Sequence, residues 1–432
     1  MKRTFVLPLI VAAAVGAALT VHGIVTRTAA QPASNSAAPG AAPAEPASFV
    51  VHEWGTFTSF SGADGKNLKF PHKSSDLPHF VHYVTGEQSK SAVGWDIFNP
   101  ISLETPVLYF YTDREMQASV QVDFPKGMMT EWYPHGDLSA HTTSRAPKRL
   151  VWRNLRLRPG APIETYDPND DEDDDGKPRQ VPAGTIRLPK QRPLDSHYYA
   201  ARETDAVPLE ITSQGRKEQE KFLFYRGVAD FAPPLTLRAL GAEDGIERFS
   251  IKNVAKEAVH GVLLIRVEAD TVRFQEVGRI DGGVEKTVAF DCKNGTTLKV
   301  LGDAMVRSLI EAGLFEKEAR AMVKTWTNDW FGDVGTRILY IAPGNFADEL
   351  LPLKVEPKPT AVARVLVGRH DILTPEQERH LDAAVKKLHE LRAEYEAAST
   401  RFNAAGDALE KKLGRFRWPA QGAAEARLKL AQ

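Results

Sequence analysis

Residues 49–61 read Phe-Val-Val-His-Glu-Trp-Gly-Thr-Phe-Thr-Ser-Phe-Ser, and the folded part of the chain is expected to begin here. β-Branched and aromatic residues dominate the stretch, which predicts a strand. Alternation puts Val51, Glu53, Gly55 and Phe57 on one face and His52, Trp54, Thr56 and Phe60 on the other. Each face mixes large apolar groups with an ionisable one. A buried carboxylate or imidazole needs a partner, so Glu53 and His52 are the first polar residues to follow.

Upstream of this strand the composition is that of a leader and a tether. Lys2 and Arg3 precede an apolar run from Phe5 to about Val25, and Thr28-Ala29-Ala30 before Gln31 offers a small-residue cleavage site. This pattern predicts a secretory signal peptide over 1–30. Uncut, the run is long enough to serve as a membrane anchor. Residues 31–48 are almost all Ala, Pro, Ser, Gly and Asn and are expected to form a disordered tether.

Downstream, residues 49–295 read as a β-rich region of one or two sandwiches. Pro106–Thr112 and Gln117–Phe124 suggest a hairpin turning at Asp113–Glu115. Leu150–Leu157 alternates, and Lys221–Gly227 is apolar on both faces, as a central strand requires. Gly261–Glu268 and Thr271–Ile280 suggest a second hairpin, followed by a strand at Glu285–Phe290. Over 296–373 the period changes. Asp303–Ala312 and Glu316–Trp330 read as helices, Thr336–Ile341 and Ala363–Val367 as strands, and Pro343–Pro359 as a loop holding at most a short helix. In 374–432, Thr374-Pro375-Glu376-Gln377 is a helix start. Leu381, Leu388, Tyr395, Phe402, Leu409 and Phe416 recur every seven residues, while Arg392, Ser399 and Gly406 interrupt the companion stripe. One helix over 375–413 would be about 58 Å long. It would pack along its own domain or, as a coiled coil over 375–416, support self-association. The fold class expected is therefore mainly β, sandwich-type, with α elements in the C-terminal third and a long C-terminal helix.

With 55 basic and 56 acidic residues the net charge is −1, which gives no basic excess for a nucleic-acid partner. The single cysteine, Cys292, excludes an intramolecular disulfide, a cysteine-cluster zinc site and an iron–sulfur cluster. There is no Gly-x-x-x-x-Gly-Lys phosphate loop, no Gly-x-Ser-x-Gly elbow and no strand-linked Gly-x-Gly-x-x-Gly.

Three groups of residues could carry chemistry. Seven of the 12 histidines fall between residues 52 and 197. His52, His79 and His82 are candidate ligands for a transition metal, although neither pair carries a third ligand. Glu53, His197, Tyr198, Arg202, Glu203, Asp205 and Arg226 could wall one polar pocket for a carboxylate or sugar, or form ion pairs under the sheet. Asp171, Asp173 and Asp175 with Gly176 match the opening of a calcium loop, but Pro182 stands where the bidentate Glu belongs. The alternative there is a solvated acidic loop.

His52-Glu53-Trp54-Gly55-Thr56-Phe57, Glu104-Thr105-Pro106-Val107-Leu108-Tyr109-Phe110, Thr130-Glu131-Trp132-Tyr133-Pro134, Ala201-Arg202-Glu203-Thr204-Asp205 and Phe222–Gly227 resemble a group of exported bacterial proteins of unknown function. The resemblance runs over most of residues 50–370. It implies an extracytoplasmic location, periplasmic or extracellular, and assigns no catalytic role. Together these readings predict an exported β-rich binding or scaffold protein with a protein or polysaccharide partner, touching membrane only through an uncleaved N-terminal segment. The competing expectation is a periplasmic metal-assisted hydrolase using the N-terminal histidines and Glu53.

Overall fold

Strand β1 (Phe49–Ser61) forms as its composition predicts and is buried along nearly all its length. The computed structural model describes residues 48–68, 77–84, 101–140, 147–167, 179–191, 198–213, 215–269, 271–291, 295–393 and 399–430. The leader, the tether to residue 47, the acidic run with Asp171, Asp173 and Asp175, His197 and Cys292 lie outside the described residues.

After β1 come β2 (His82–Tyr83), β3 (Ile101–Thr112), β4 (Met116–Asp123), β5 (Gly127–Tyr133), β6 (Asp137–Ala140) and β7 (Pro147–Leu157). β8 (Ile163–Tyr166) and β9 (Ile186–Pro189) make a small parallel pair. β10 (Leu209–Ser213), β11 (Arg216–Glu220) and β12 (Leu223–Ala229) follow, then β13 (Leu235–Glu243), β14 (Ile246–Asn253), β15 (Val259–Glu268), β16 (Thr271–Ile280) and β17 (Glu285–Phe290). Helices α1 (Leu298–Glu311) and α2 (Glu316–Thr327) lead through a π turn at Asn328–Gly332 to β18 (Gly335–Ile341). α3 (Gly344–Leu350), β19 (Leu353–Glu356) and β20 (Ala361–Ile372) precede α4 (Pro375–Ala393), α5 (Ser399–Leu413) and α6 (Arg417–Leu430).

The central feature is a nine-stranded sheet in the order β16-β15-β18-β20-β1-β3-β12-β5-β2. Its two faces bury different partners. Val51, Phe57, Leu108, Phe110 and Tyr225 share one core with Val120, Trp152 and Leu155 of the six-stranded sheet and with Leu237 and Phe249 of the three-stranded one. Trp54, Tyr109, Phe224 and Leu339 share the other with Met305, Met322 and Trp326 of α1 and α2. The mainly β, sandwich-type fold with helices toward the C-terminus is what the alternation predicts.

Four sequence expectations are corrected. β3 and β4 are not a hairpin: β3 pairs with β1 and β12, and β4 with β7 and β19. The turn between them carries the chain from one sheet to the other, so Ala118, Val120 and Val122 pack onto the face of β3 rather than beside it. The boundary at 295/296 separates no domains. β18 and β20 enter the large sheet between β15 and β1, and residues 46–432 form one compact unit. The proline-rich loop contains strand β19, which Pro352 and Pro357 flank without interrupting its pairing to β4. The long C-terminal helix is present, but over Ser399–Leu430, as α5 and α6 joined by the turn Gly414–Phe416, and not over 375–413; α4 packs back against it instead of continuing outward. Leu381, Val385, Leu388, Leu409 and Phe416 are buried in a small core with Ala420 and Ala424, so this part of the seven-residue stripe is used within the chain.

Candidate functional site

The alternation that builds β1 also divides the expected polar pocket. Glu53 points into the core between the sheets. There it accepts a hydrogen bond from the Tyr225 hydroxyl and pairs with Arg364 Nε at 2.6 Å. Arg364 is Glu53's register partner on β20, so the two strands bring the pair together directly. Arg364 also reaches Asp348 Oδ1 at 2.7 Å. Burial opposes the Arg364 charge, but Glu53 outweighs it and holds the guanidinium firmly protonated.

His52 lies on the other face. Its Nδ1 is 2.8 Å from Glu318 Oε2, and the same carboxylate accepts from the Tyr111 hydroxyl at 2.6 Å and from the Phe315 N–H that starts α2. Burial and Glu318 push the Tyr111 hydroxyl well up. Tyr198 and Arg202 are also on this helix-covered side, with their partner Glu220. Arg202 Nη2 is 2.7 Å from Glu220 Oε2, and the Tyr198 hydroxyl donates to the same oxygen at 3.1 Å. Glu203 and Asp205 turn outward to Lys324 and Lys317 on α2. Arg226 is buried on β12 opposite Glu131 of β5, its guanidinium 5.7 Å from the Phe224 ring. The expected pocket is therefore not one cavity. The sheet itself separates Glu53 from Tyr198 and Arg202, because odd and even positions face opposite layers.

The histidines do not converge either. His79 is exposed on a turn, His52 is held by Glu318, and His82 Nε2 lies 2.9 Å from Glu218 Oε1. His135 joins the last pair, its backbone N–H donating to Glu218 and its Nδ1 2.9 Å from Ser213 Oγ. Burial would raise the Glu218 carboxyl, but His82 and the His135 N–H hold it below its usual range. Among the described residues no three His, Cys, Asp or Glu side chains are grouped to hold a metal ion. His52 on β1 and His82 on β2 lie at separate places in the large sheet, so the described residues do not bring His52, His79 and His82 together.

A different polar assembly emerges where β1, β3, β18 and β20 meet the C-terminal helices. Asp371 is the centre. Arg369 Nε and Nη2 contact its two oxygens at 2.6 and 3.1 Å, and Arg337 Nε contacts Oδ1 at 2.8 Å. Both guanidiniums also donate to backbone carbonyls of the π turn, Arg337 to Trp330 at 2.7 Å and Arg369 to Asp329. Asp333 Oδ2 lies 3.0 Å from Arg369 Nη1. Burial alone would raise Asp371; the two guanidiniums outweigh it and hold the carboxyl at about 2. Burial presses Arg337 down to about 10, still charged at neutral pH.

Next to it, Arg415 enters from the 3-10 turn Gly414–Phe416, with Nη1 3.5 Å from Glu104 Oε1 and Nη2 3.3 Å from Thr58 Oγ1. On the opposite face of β20, His370 is sealed between Ser59 Oγ at 2.7 Å and Ser61 Oγ at 2.8 Å, and burial pulls its imidazole down to about 4. The run Arg369-His370-Asp371 at the end of an apolar strand was the available signal. It escapes notice when the strand is ended at Val367, where the apolar pattern stops.

No family model matches the chain, and no curated protein matches it. Among solved structures, the yeast delta-COP-I mu-homology domain complexed with a Dsl1 WxWxV peptide is similar at a TM-score of 0.31 and 8% identity, covering 76% of this chain and 98% of that one. The same yeast domain alone gives 0.30 and 9%, covering 77% and 100%.

Proposed function

We propose that this is an exported β-rich binding or scaffold protein, acting in the periplasm or at the cell surface on a protein or polysaccharide partner. One observation carries the reading over a metal-assisted hydrolase. Of the described residues that hydrolysis would need, Glu53 and His52 lie on opposite faces of β1, closed by Arg364 and Tyr225 and by Glu318, while His82, held by Glu218, and the exposed His79 lie at the far edge of the sheet. A general base bonded inside a packed core has no route to water or substrate. The leader sequence and the resemblance of the blocks between His52 and Gly227 to exported bacterial proteins support the location.

Elemental analysis of the full chain purified without added metal tests the reading. The expected content is far below one equivalent of zinc, copper or iron, unchanged in a His79→Ala/His82→Ala variant. Stoichiometric metal lost in that variant would overturn it in favour of the hydrolase. Fractionation of the native host tests the location, with the mature chain expected outside the cytoplasm.

A further inference from the structure

Strand β13 carries a bulge. Its ladder to β14 slips between Ala239 and Gly241, and Leu240 turns outward, 47% exposed. Gly241, opposite Arg248, leaves open space, since a Cβ there would meet no atom within 4 Å. The first turn of α4 borders the same space, and a cavity of about 120 Å³ lies between ribbon and helix. Ala239, Ala242, Phe249 and Pro375 supply apolar wall, and Glu247, Arg248, Glu376 and Arg379 bring charge to the lining.

Two of these four charges are already matched. Arg248 Nη2 lies 2.6 Å from Glu243 Oε2, and Glu247 pairs with Arg266. The other two are not. Glu376 and Arg379 are exposed and three residues apart on α4, near enough to pair along the helix. No ion pair joins them, and among the described residues neither has another charged partner. One unmatched carboxylate and one unmatched guanidinium therefore border one apolar hollow.

A single small ligand that satisfies both must hold a carboxylate and an ammonium close together, and an α-amino acid carries them on one carbon. A guanidinium suits the carboxylate, which it can grip with two parallel hydrogen bonds, and a carboxylate suits the ammonium. Size limits the side chain: the cavity has room for about four waters, so only a side chain of roughly one or two heavy atoms fits.

We propose that this cavity is a binding site for a small α-amino acid, its carboxylate on Arg379, its ammonium on Glu376 and its side chain against Ala239 and Phe249. The site shares no residue with the buried ion pairs of the large sheet and is independent of the partner and location proposed above.

Saturation-transfer NMR on the full chain tests it, following L-alanine through its methyl signal. Saturable binding is expected with a Kd on the order of 1 mM, as suits so small a ligand. Glycine should displace alanine at similar concentration. Propionate and ethylamine, each keeping one of the two charges, should need at least 10-fold more, a comparison that requires no variant. L-Tryptophan should not displace it. Arg379→Met and Glu376→Gln should each weaken alanine binding at least 10-fold, and Ala242→Trp, which fills the hollow from an exposed position, should abolish it. Thermal unfolding checks that each variant is folded. Absence of saturable binding in the millimolar range would overturn the site. So would propionate competing as well as glycine, or folded Arg379→Met and Glu376→Gln variants that bind alanine unchanged.

Discussion

Glu53 and Arg364 face each other across two parallel strands, with side chains 0% and 5% exposed. Arg364→Met leaves the Glu53 carboxylate buried without its cation. The expected cost is about 3–5 kcal/mol in urea unfolding, and Glu53→Gln/Arg364→Met should recover much of it. Two residues of β20 make stability fall in separate acid windows. The unfolded His370 imidazole takes up a proton near 6.5, the folded one only near 4, so stability is lost as pH drops between those values, by about 3 kcal/mol. Asp371 does the same lower down. Unfolded it protonates near 3.8 and folded near 2, so about 2 kcal/mol present above 3.8 is lost as pH falls through 2. Unfolding free energies measured from pH 7 to 2 should show the upper slope flattened in His370→Asn and the lower slope flattened in Asp371→Asn. Neither residue drew attention in the sequence, because a charged run at a strand end normally marks the point where the strand leaves the core.

At the scale of elements, the C-terminal helices reuse a pattern that sequence reading assigns to two different neighbours. A seven-residue apolar repeat specifies that a helix packs on another helix, not which one. Here the neighbours are α5 and α6 of the same chain. Arg427 ties α6 to Asp382 of α4 at 2.6 Å, and the buried Ala420 and Ala424 let the two helices approach. Leu388→Ala should therefore cost about 2–5 kcal/mol, read as faster hydrogen exchange confined to α4–α6. Sedimentation of the full chain should give the mass of one copy; a concentration-dependent dimer would show that the stripe is shared between chains. The hairpin of β15 and β16 was legible because its turn lies between two adjacent alternating runs. β3 and β4 carry the same signal yet join different sheets, since a short polar turn can fold a chain within a sheet or across the gap between two.

For the whole molecule, the decisive contact is the parallel pairing of β1 with β20, which joins residues 50–61 to 361–372. It joins the two halves of the sheet, creates the Glu53–Arg364 pair and sets Arg369 opposite Thr58. Gly368 permits it: a Cβ there would lie 2.2 Å from Tyr340 Cζ on the neighbouring strand. Gly368→Ala should cost roughly 3 kcal/mol, measured by urea unfolding, because a fully buried Tyr340 has no space to retreat into. The sequence by itself determined that Phe49–Ser61 is a strand carrying an ionisable residue on each face, that most of the following chain is sheet, and that helices come late, because side-chain period and turn chemistry are local properties. Only the tertiary structure decided which faces meet. Glu53 and Arg202 belong to opposite layers, and Glu104, Arg369 and Arg415 come together from distant parts of the chain, because strand order and layer assignment depend on pairings separated by hundreds of residues, which no local pattern records.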